Sequence, residues 1–182
     1  YGVEALPTLV FTDSYGGELF RYRGFIDAKP LAELMRSLPA DVSEFNKLNK
    51  ILARDKNNFE ALEIMGKNLR AAGLFLASND YYGRAIQRSE AKADPSTRET
   101  IMTEMGLNSL EVKDGKRAAD TFEKCLKEFP GSNRNTEWTL GLGRAYALAE
   151  KKDKAKKLLD AFILQHPDGA DSEKARALLK AF

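Results

Sequence analysis

The sequence predicts a mainly α-helical fold: an α-solenoid of antiparallel helix pairs, preceded by a β-hairpin and one helix. A set of small and large residues recurs along the chain, and its glycines, Gly66, Gly106 and Gly143, are 40 and then 37 positions apart. Helical periodicity fills each of these steps, whereas strand-like patterns are confined to the first 25 residues. A repeat on this scale indicates stacked supersecondary units, and helical patterns within it indicate a solenoid.

The composition is typical of a globular protein and excludes several classes of partner. Of 182 residues, 43% are hydrophobic and 31% are charged, and the 29 basic and 27 acidic residues leave a net charge of +2. A charge so close to neutral creates no field that would recruit nucleic acid or an anionic membrane. No apolar run approaches the ~20 residues that span a bilayer. We therefore expect neither nucleic acid nor a membrane as partner.

The sequence pattern of residues 1–39 predicts two strands followed by a helix. Segment 6–12 is rich in β-branched and aromatic residues without alternation, which favours a strand inside a sheet. A turn at 15–17 leads to the alternating strand 18–23, and Asp27 can cap the helix that follows. The predicted buried stripe of that helix is Leu31, Leu34, Met35 and Leu38. A hairpin and one helix are too small to fold alone, so we expect something to pair with strand 8–12.

These elements resemble the C-terminal half of a thioredoxin-like domain. The resemblance is carried by Leu6-Pro7-Thr8 before the first strand, by the Gly16-Gly17 hairpin, by Gly24 after the second strand and by the closing helix. In that family the proline that matches Pro7 is cis and lies beside a CxxC motif, where it helps to bind extended substrate. The resemblance therefore implies a substrate-adjacent cis proline at Pro7. The partner of strand 8–12 would be the missing half of the domain or a second copy of the chain.

The chain departs from that family in its redox chemistry. Cys125 is its single cysteine, and thiol–disulfide exchange needs a low-pKa thiolate with a resolving partner. We therefore predict no catalytic residue in this chain and a buried, inert thiol at Cys125. The chain begins in mid-pattern at Tyr1, so we expect a fragment of a longer protein. A CxxC upstream would make the parent a thiol–disulfide oxidoreductase, and this alternative stays open.

The remaining residues divide into a connecting helix (40–57), three helix-pair repeats (58–169) and a capping helix (170–182). The inward positions predicted for the connecting helix are Val42, Phe45, Leu48, Ile51 and Leu52. In each repeat, the glycine of the first helix (helix A) is followed twelve positions later by a small residue of the second (helix B). These residues are Ser78, Ala118 and Ala155. They allow close approach of the two helices, and Tyr82 and Phe122 are expected to fill the gap to the next repeat.

This set of residues resembles the tetratricopeptide repeat. The family period is about 34 residues, and this chain carries extra residues at 89–95 and 131–135, with Trp138 one position away from the family's tryptophan. Counting one period back places Leu31, Ala32 and Met35 on helix A positions, with Leu48 and Ile51 on helix B positions. The helices on either side of residue 40 would then form a degenerate leading repeat. Alternatively, the first of them belongs only to its own sheet.

The tetratricopeptide resemblance implies a peptide-binding groove on the concave face formed by the A helices. The family's ligand-facing positions fall on Glu63, Lys67, Arg70, Thr103, Leu107, Leu110, Leu140, Arg144 and Ala147. This mixed surface, with cations around a short apolar strip, suits an extended or helical segment with an acidic end. It lacks the Lys/Asn set that clamps a C-terminal carboxylate in chaperone-associated members. The alternative is that this face is a solvated scaffold.

We predict no cofactor and no metal site. Cys125 and His166 are the single cysteine and the single histidine, too few for a zinc site. The basic run between residues 151 and 157 is typical of a solvated helix face.

The sequence thus predicts a protein–protein interaction module attached to a thioredoxin-like domain. The resemblance to bacterial thioredoxin–tetratricopeptide fusions implies that it binds client polypeptides in a chaperone-like or redox-associated role. The compartment is unknown, with the bacterial cytoplasm slightly favoured over the periplasm because any targeting segment would be missing. The competing interpretations are the oxidoreductase parent and a purely structural assembly scaffold.

Overall fold

The computed structural model describes residues 7–12, 16, 18–36, 38 and 41–181. Over these residues the chain is mainly α-helical with one two-stranded sheet, which confirms the predicted fold class. It divides into two compact units, Tyr1–Ala93 (unit 1) and Asp94–Phe182 (unit 2). The first predicted repeat therefore shares a unit with the hairpin, while the other two repeats and the last helix form the second unit.

Unit 1 contains the sheet and the first five helices. Its elements are β1 (Thr8–Thr12), β2 (Glu18–Arg23), α1 (Ala28–Arg36), α2 (Ser43–Arg54), α3 (Phe59–Ala71), α4 (Phe75–Ala85) and α5 (Ser89–Ala93). Unit 2 contains α6 (Pro95–Glu111), α7 (Gly115–Glu128), α8 (Asn135–Leu148), α9 (Lys152–Gln165) and α10 (Ala170–Lys180). Helices α3, α6 and α8 are the A helices of the three repeats, and α4, α7 and α9 are the B helices.

The hairpin at the start of unit 1 forms as predicted. β1 pairs antiparallel with β2, from Thr8 opposite Arg23 to Thr12 opposite Glu18. The Gly24 N–H donates to the Pro7 carbonyl at 2.9 Å and closes the open end of the ladder. Leu6 and most of the predicted turn at 15–17 lie outside the described residues. The Asn49 amide of α2 donates to the Glu18 carbonyl, which ties the hairpin to the helical part of the unit.

One core cluster of unit 1 lies between α2, α3 and the start of α4. Phe45 and Leu48 of α2 are buried together with Met65 and Leu69 of α3, and Leu34 packs against this cluster from α1. Helix α2 thus packs on an apolar surface of the first repeat.

Two predicted core positions are wrong. Met35 is 58% exposed and Ile51 is 43% exposed. Successive helical residues are ~100° apart, so Met35 turns away from the face that buries its neighbour Leu34. Similarly, Phe45, Leu48 and Leu52 already form a stripe at i, i+3 and i+7, and Ile51 lies at its edge. Two of the five packing positions on which the degenerate leading repeat depends, Met35 and Ile51, are therefore exposed, and the repeat itself stays a prediction.

Helix α4 ends at Ala85, before the extra residues at 89–95. After Ala85 the backbone switches to i→i−3 hydrogen bonds, with Arg88 N–H donating to the Ala85 carbonyl at 2.9 Å. The extra residues form the short helix α5. Asp94 then caps α6 by accepting from the Ser96 N–H at 3.0 Å, with Pro95 in the first turn, where a missing N–H costs little.

Within each repeat a glycine of the A helix faces a large side chain of the B helix sixteen positions later. The pairs are Gly66 with Tyr82, Gly106 with Phe122 and Gly143 with Leu159, and in each a Cβ added to the glycine would lie 2.7 Å from that side chain. Phe122 also meets Gly141 of the next A helix, where an added Cβ would lie 2.8 Å from its ring. The predicted close crossing is therefore confirmed, and Phe122 fills the gap between two repeats as expected.

The turn between α6 and α7 brings a further glycine into close contact. Lys113 has a φ of 59°, and the Asp114 carboxylate accepts from the Arg117 N–H at 3.0 Å to cap α7. A Cβ on Gly115 would lie 2.6 Å from the Ala149 backbone nitrogen at the end of α8. The turn at 113–115 thus also fixes the contact between repeats.

We predict that Gly66→Ala destabilises unit 1 although alanine is the better helix former. The substitution gains about 1 kcal/mol of helix propensity, but its methyl group would overlap the buried Tyr82 ring, and overpacking costs about 1–3 kcal/mol. The net effect is a fall of up to about 2 kcal/mol in the free energy of unfolding, measured by urea denaturation with circular dichroism. Gly83→Ala in α4 is the matched control. Nothing lies within 4 Å of its added Cβ, so it should raise stability by about 0.5–1 kcal/mol. Equal effects at both positions would contradict the packing role of Gly66.

Candidate functional site

An open groove of about 490 Å³ lies on unit 2, between the two A helices and the last helix. We call it the leucine groove. It is lined by Leu107, Leu110, Glu137, Leu140, Gly141, Arg144, Lys174, Ala177 and Leu178. Helix α8 runs through the middle and contacts both α6 and α10. The last helix therefore forms one wall of the groove and does more than cap the repeats.

Four of the residues predicted to face a ligand line the leucine groove. Leu107 and Leu110 come from α6, and Leu140 and Arg144 come from α8. Ala147, also on α8, is half-buried and is not among the lining residues.

The three ligand-facing residues predicted in the first repeat belong to unit 1. Glu63, Lys67 and Arg70 all lie on α3. The Arg70 guanidinium lies 5.9 Å from the centre of the Phe75 ring, a cation–π contact with the next helix of the same repeat. Their role in binding stays a prediction, and the leucine groove is built without them.

The placement of Thr103 on the ligand-facing surface is wrong. This side chain is fully buried, and its hydroxyl accepts a hydrogen bond from the Trp138 indole Nε1–H at 2.9 Å. The same hydroxyl donates to the Glu99 carbonyl at 2.8 Å. Trp138 is itself fully buried, and a buried indole N–H needs an acceptor. The sequence signal for this burial was Trp138, which lies 35 positions later in the next repeat. Its indole N–H is the hydrogen-bond donor that holds the Thr103 hydroxyl in the core.

Of the charged side chains that line the leucine groove, Lys174 and Glu137 have ion-pair partners and Arg144 has none among the described residues. The Lys174 ammonium lies 2.8 Å from the Asp171 carboxylate, and Glu137 lies 4.0 Å from Arg134. Arg144 is exposed and has no ion-pair partner in the part of the chain that the structure describes. The groove therefore combines an apolar lining with one guanidinium whose charge no neighbouring carboxylate offsets.

Sequence reasoning missed a second cleft, of about 430 Å³, between α7, α8 and α9. It is lined by Leu126, Asn135, Thr136, Thr139, Leu158, Ala161, Phe162, Gln165 and His166. The His166 ring lies 4.9 Å from the Phe162 ring, and the Thr139 hydroxyl donates to the Asn135 carbonyl of its own helix. The Asn135 amide Nδ2 donates to the Pro130 carbonyl at 2.7 Å, while its Oδ1 is buried without a hydrogen-bond partner among the described residues.

The single thiol lies in the packed interior, as predicted. Cys125 is fully buried on α7. Burial raises the pKa of its thiol to about 12, and the nearby Glu128 and Glu99 carboxylates add to the rise. A thiol with so high a pKa is protonated at neutral pH and is a poor nucleophile.

The described residues hold neither a cluster of metal-ligating side chains nor a helix that could span a membrane. No group of three or more His, Cys, Asp or Glu side chains there is placed to hold a metal ion. No helix in that part of the chain is both long enough and apolar enough to cross a membrane.

Comparison with known proteins agrees with the repeat architecture. Residues 109–181 match the tetratricopeptide repeat family, and every residue of the leucine groove except Leu107 falls inside that segment. Among solved structures, the one titled "Crystal structure of MamA" superposes with a TM-score of 0.51 at 16% identity, over 86% of this chain and 92% of that one. At this identity the likeness shows the fold alone. No curated protein matches the chain.

Tetratricopeptide repeats are protein–protein interaction modules, so the matched segment indicates this general class of function. None of these findings supports the thioredoxin-like resemblance of residues 1–39, which stays a prediction.

We predict that Thr103→Val destabilises unit 2. Valine keeps the shape of threonine but leaves the buried Trp138 N–H without its acceptor, which costs about 1–3 kcal/mol. Trp138 is the chain's one tryptophan, so its fluorescence during urea unfolding reports this change directly. Thr121→Val is the matched control, because its hydroxyl donates only within α7, to the Arg117 carbonyl at 2.8 Å. The control should change the free energy of unfolding by less than about 0.5 kcal/mol. A Thr103→Val variant as stable as the control would show that the bond to Trp138 contributes nothing.

Proposed function

We propose that the chain is a polypeptide-binding module that holds a segment of a partner protein in the leucine groove of unit 2. The observation that carries the proposal is the convergence of leucines from three helices on one open groove. Leu107, Leu140 and Leu178 come from α6, α8 and α10 respectively. The groove also lies almost entirely within the segment that matches a family of protein-interaction repeats.

The size and lining of the groove favour a short apolar segment over a small polar metabolite. Its volume of about 490 Å³ lies within the usual range for ligand sites, and leucines dominate its lining. An amphipathic helix, with apolar residues at i, i+3 or i+4 and i+7, can lay its apolar face into such a groove. An extended segment can place alternate side chains there in the same way.

The expected affinity is modest. Burying two or three apolar side chains contributes roughly 3–9 kcal/mol before costs. Lost translational freedom and ordering of the segment offset a large part of this. We therefore expect dissociation constants on the order of 10–100 μM for a single short segment. Such affinities suit reversible binding of partner segments.

We propose in addition that residues 1–39 belong to a thioredoxin-like domain, so that the module brings polypeptide clients to that domain in a chaperone-like or redox-associated role. The order strand, strand, helix and the antiparallel pairing of β1 with β2 support this. Among the described residues β1 pairs with β2 alone, which leaves its other edge for a strand of the missing half or of a second copy. Pro7, the residue immediately before β1, would be the substrate-adjacent position.

The source reading frame tests the thioredoxin-like assignment. We expect the codons before Tyr1 to encode the first strands and first helix of such a domain, because β1 needs a neighbouring strand to complete its sheet. Sequencing the gene and measuring the intact mass of the source protein would check this. An upstream sequence without those elements would remove the assignment. It would leave the groove proposal untouched, since the groove involves unit 2 alone.

Neutral substitutions in the groove test the binding proposal. Peptides selected from a random 12-residue display library on the full chain would be measured by fluorescence polarisation. Leu107→Gln removes apolar lining, and Ala177→Gln adds bulk at an exposed lining position, so each should weaken binding by roughly tenfold or more. Leu164→Gln is the matched control, because Leu164 is 83% exposed on α9 and does not line the groove.

Melting temperatures of the three variants would establish that each is folded. Selected peptides that bind wild type, Leu107→Gln and Ala177→Gln equally would place the binding site elsewhere. A library from which no peptide is enriched would argue against polypeptide binding itself.

A further inference from the structure

We infer that the leucine groove selects partner segments that carry an acidic side chain about one helical turn from an apolar one, and that Arg144 is the specificity-determining residue. This inference rests on the proposed function and adds the chemistry of the segment to it. The occupant is thus an apolar and acidic internal stretch of another polypeptide.

The spacing of two residues on α8 sets the spacing required of the ligand. Leu140 and Arg144 are four positions apart, so they lie on one face of the helix about 6 Å apart along its axis. Both line the groove. When one ligand side chain packs on Leu140, another ligand side chain therefore lies opposite the Arg144 guanidinium. In a helical ligand it comes from the next turn, and in an extended ligand it is the next side chain on the same face.

The pairing of the charges singles out Arg144. Lys174 is offset by Asp171 at 2.8 Å, whereas Arg144 has no ion-pair partner in the described ranges. A guanidinium can bind a carboxylate through two parallel hydrogen bonds, and such charge-assisted pairs are stronger than neutral ones. Leucine side chains around it lower the local dielectric once a ligand covers the groove, which strengthens the attraction further.

Glu137 defines where along the groove the acid is accepted. It lies seven positions before Arg144 on the same face of α8, about 10 Å away along the axis. Its pairing with Arg134, at 4.0 Å, is long and exposed, so it keeps most of its negative charge toward solvent. A ligand carboxylate is therefore repelled at the Glu137 end and attracted at the Arg144 end.

The lining favours a side-chain carboxylate over a terminal one. Capture of a chain terminus uses several converging donors, such as a backbone nest. Among the described residues that line this groove, the polar side chains are Glu137, Arg144 and Lys174, with no amide or hydroxyl group. One guanidinium beside an apolar strip matches an acidic residue within a segment that continues past the groove in both directions.

A charge reversal at Arg144 tests the inference. Random 12-residue peptides with amidated C-termini would be selected on wild type, on Arg144→Glu and on Lys157→Glu. The last is the matched control, since Lys157 is an exposed residue of α9 outside the groove and its reversal changes the net charge equally. Wild type and the control should enrich leucine, isoleucine or phenylalanine with aspartate or glutamate within four positions. Arg144→Glu should lose the acid and enrich lysine or arginine.

Affinities of one selected peptide would give the size of the effect. Replacing its acidic residue by glutamine should weaken binding to wild type roughly tenfold, because a charge-assisted pair is lost. Replacing it by lysine should weaken binding to wild type further and restore binding to Arg144→Glu to within about threefold of the original pair. Arg144 is exposed, so the variant should melt at the wild-type temperature.

The outcomes separate this inference from the proposed function. Peptides that depend on Leu107 and Ala177 but show no acidic preference would overturn the role of Arg144 and leave the groove as the binding site. An affinity that depends on a free C-terminus, and not on the acidic side chain, would overturn the inference in favour of terminal-carboxylate capture. Peptides indifferent to both the neutral and the charged substitutions would overturn inference and proposed function together.

Discussion

The contact of a helix A glycine with a large side chain of helix B is the constraint on which unit 2 depends. Phe122 is fully buried between two glycines of successive A helices, Gly106 and Gly141, and an added Cβ would lie 2.7 Å from its ring on one side and 2.8 Å on the other. The ring therefore sets the distance between α6 and α8. Because these two helices provide most of the leucine groove, a buried aromatic residue that no ligand touches determines the groove's width.

A hydrogen bond fixes the rotation of α8 about its axis. The Trp138 indole, fully buried, donates to Thr103 of α6 at 2.9 Å, so this side of α8 must face inward. Helical residues advance by ~100° each, which turns Leu140 and Arg144 by about 200° and 240° from Trp138. They consequently emerge on the far side, where they line the groove. The direction in which the ligand-facing residues point is thus a consequence of a polar contact in the core.

Most of the helical architecture of unit 2 could be predicted from the repeat spacing. Glycines and large residues at fixed separations determine which faces of helices A and B pack together, and these separations can be read from the sequence. The groove positions of α6 and α8 followed from the same register, as Leu107 and Arg144 show. Thr103 was placed wrongly because it was assigned from the family's register, whereas its burial depends on Trp138, which lies one position away from the family's tryptophan. The contribution of α10, including Leu178, was also missed. This helix follows the last full repeat, so the repeat pattern does not predict which of its residues face the groove; that depends on how it packs against α8 and α9.

The groove is supported by interactions that are separate from those it offers a ligand, and this bears on its affinity. Its walls are held by buried contacts such as Phe122 with its two glycines, whereas Arg144 and Ala177 are exposed. A site whose walls are already packed loses little conformational freedom when a segment binds, so a larger share of the apolar contact appears as affinity. Exposed positions can change charge without disturbing the packing beneath them. The fold can therefore keep one groove while the partner it accepts is set by a few surface residues, of which Arg144 is the lining cation whose charge is not already offset.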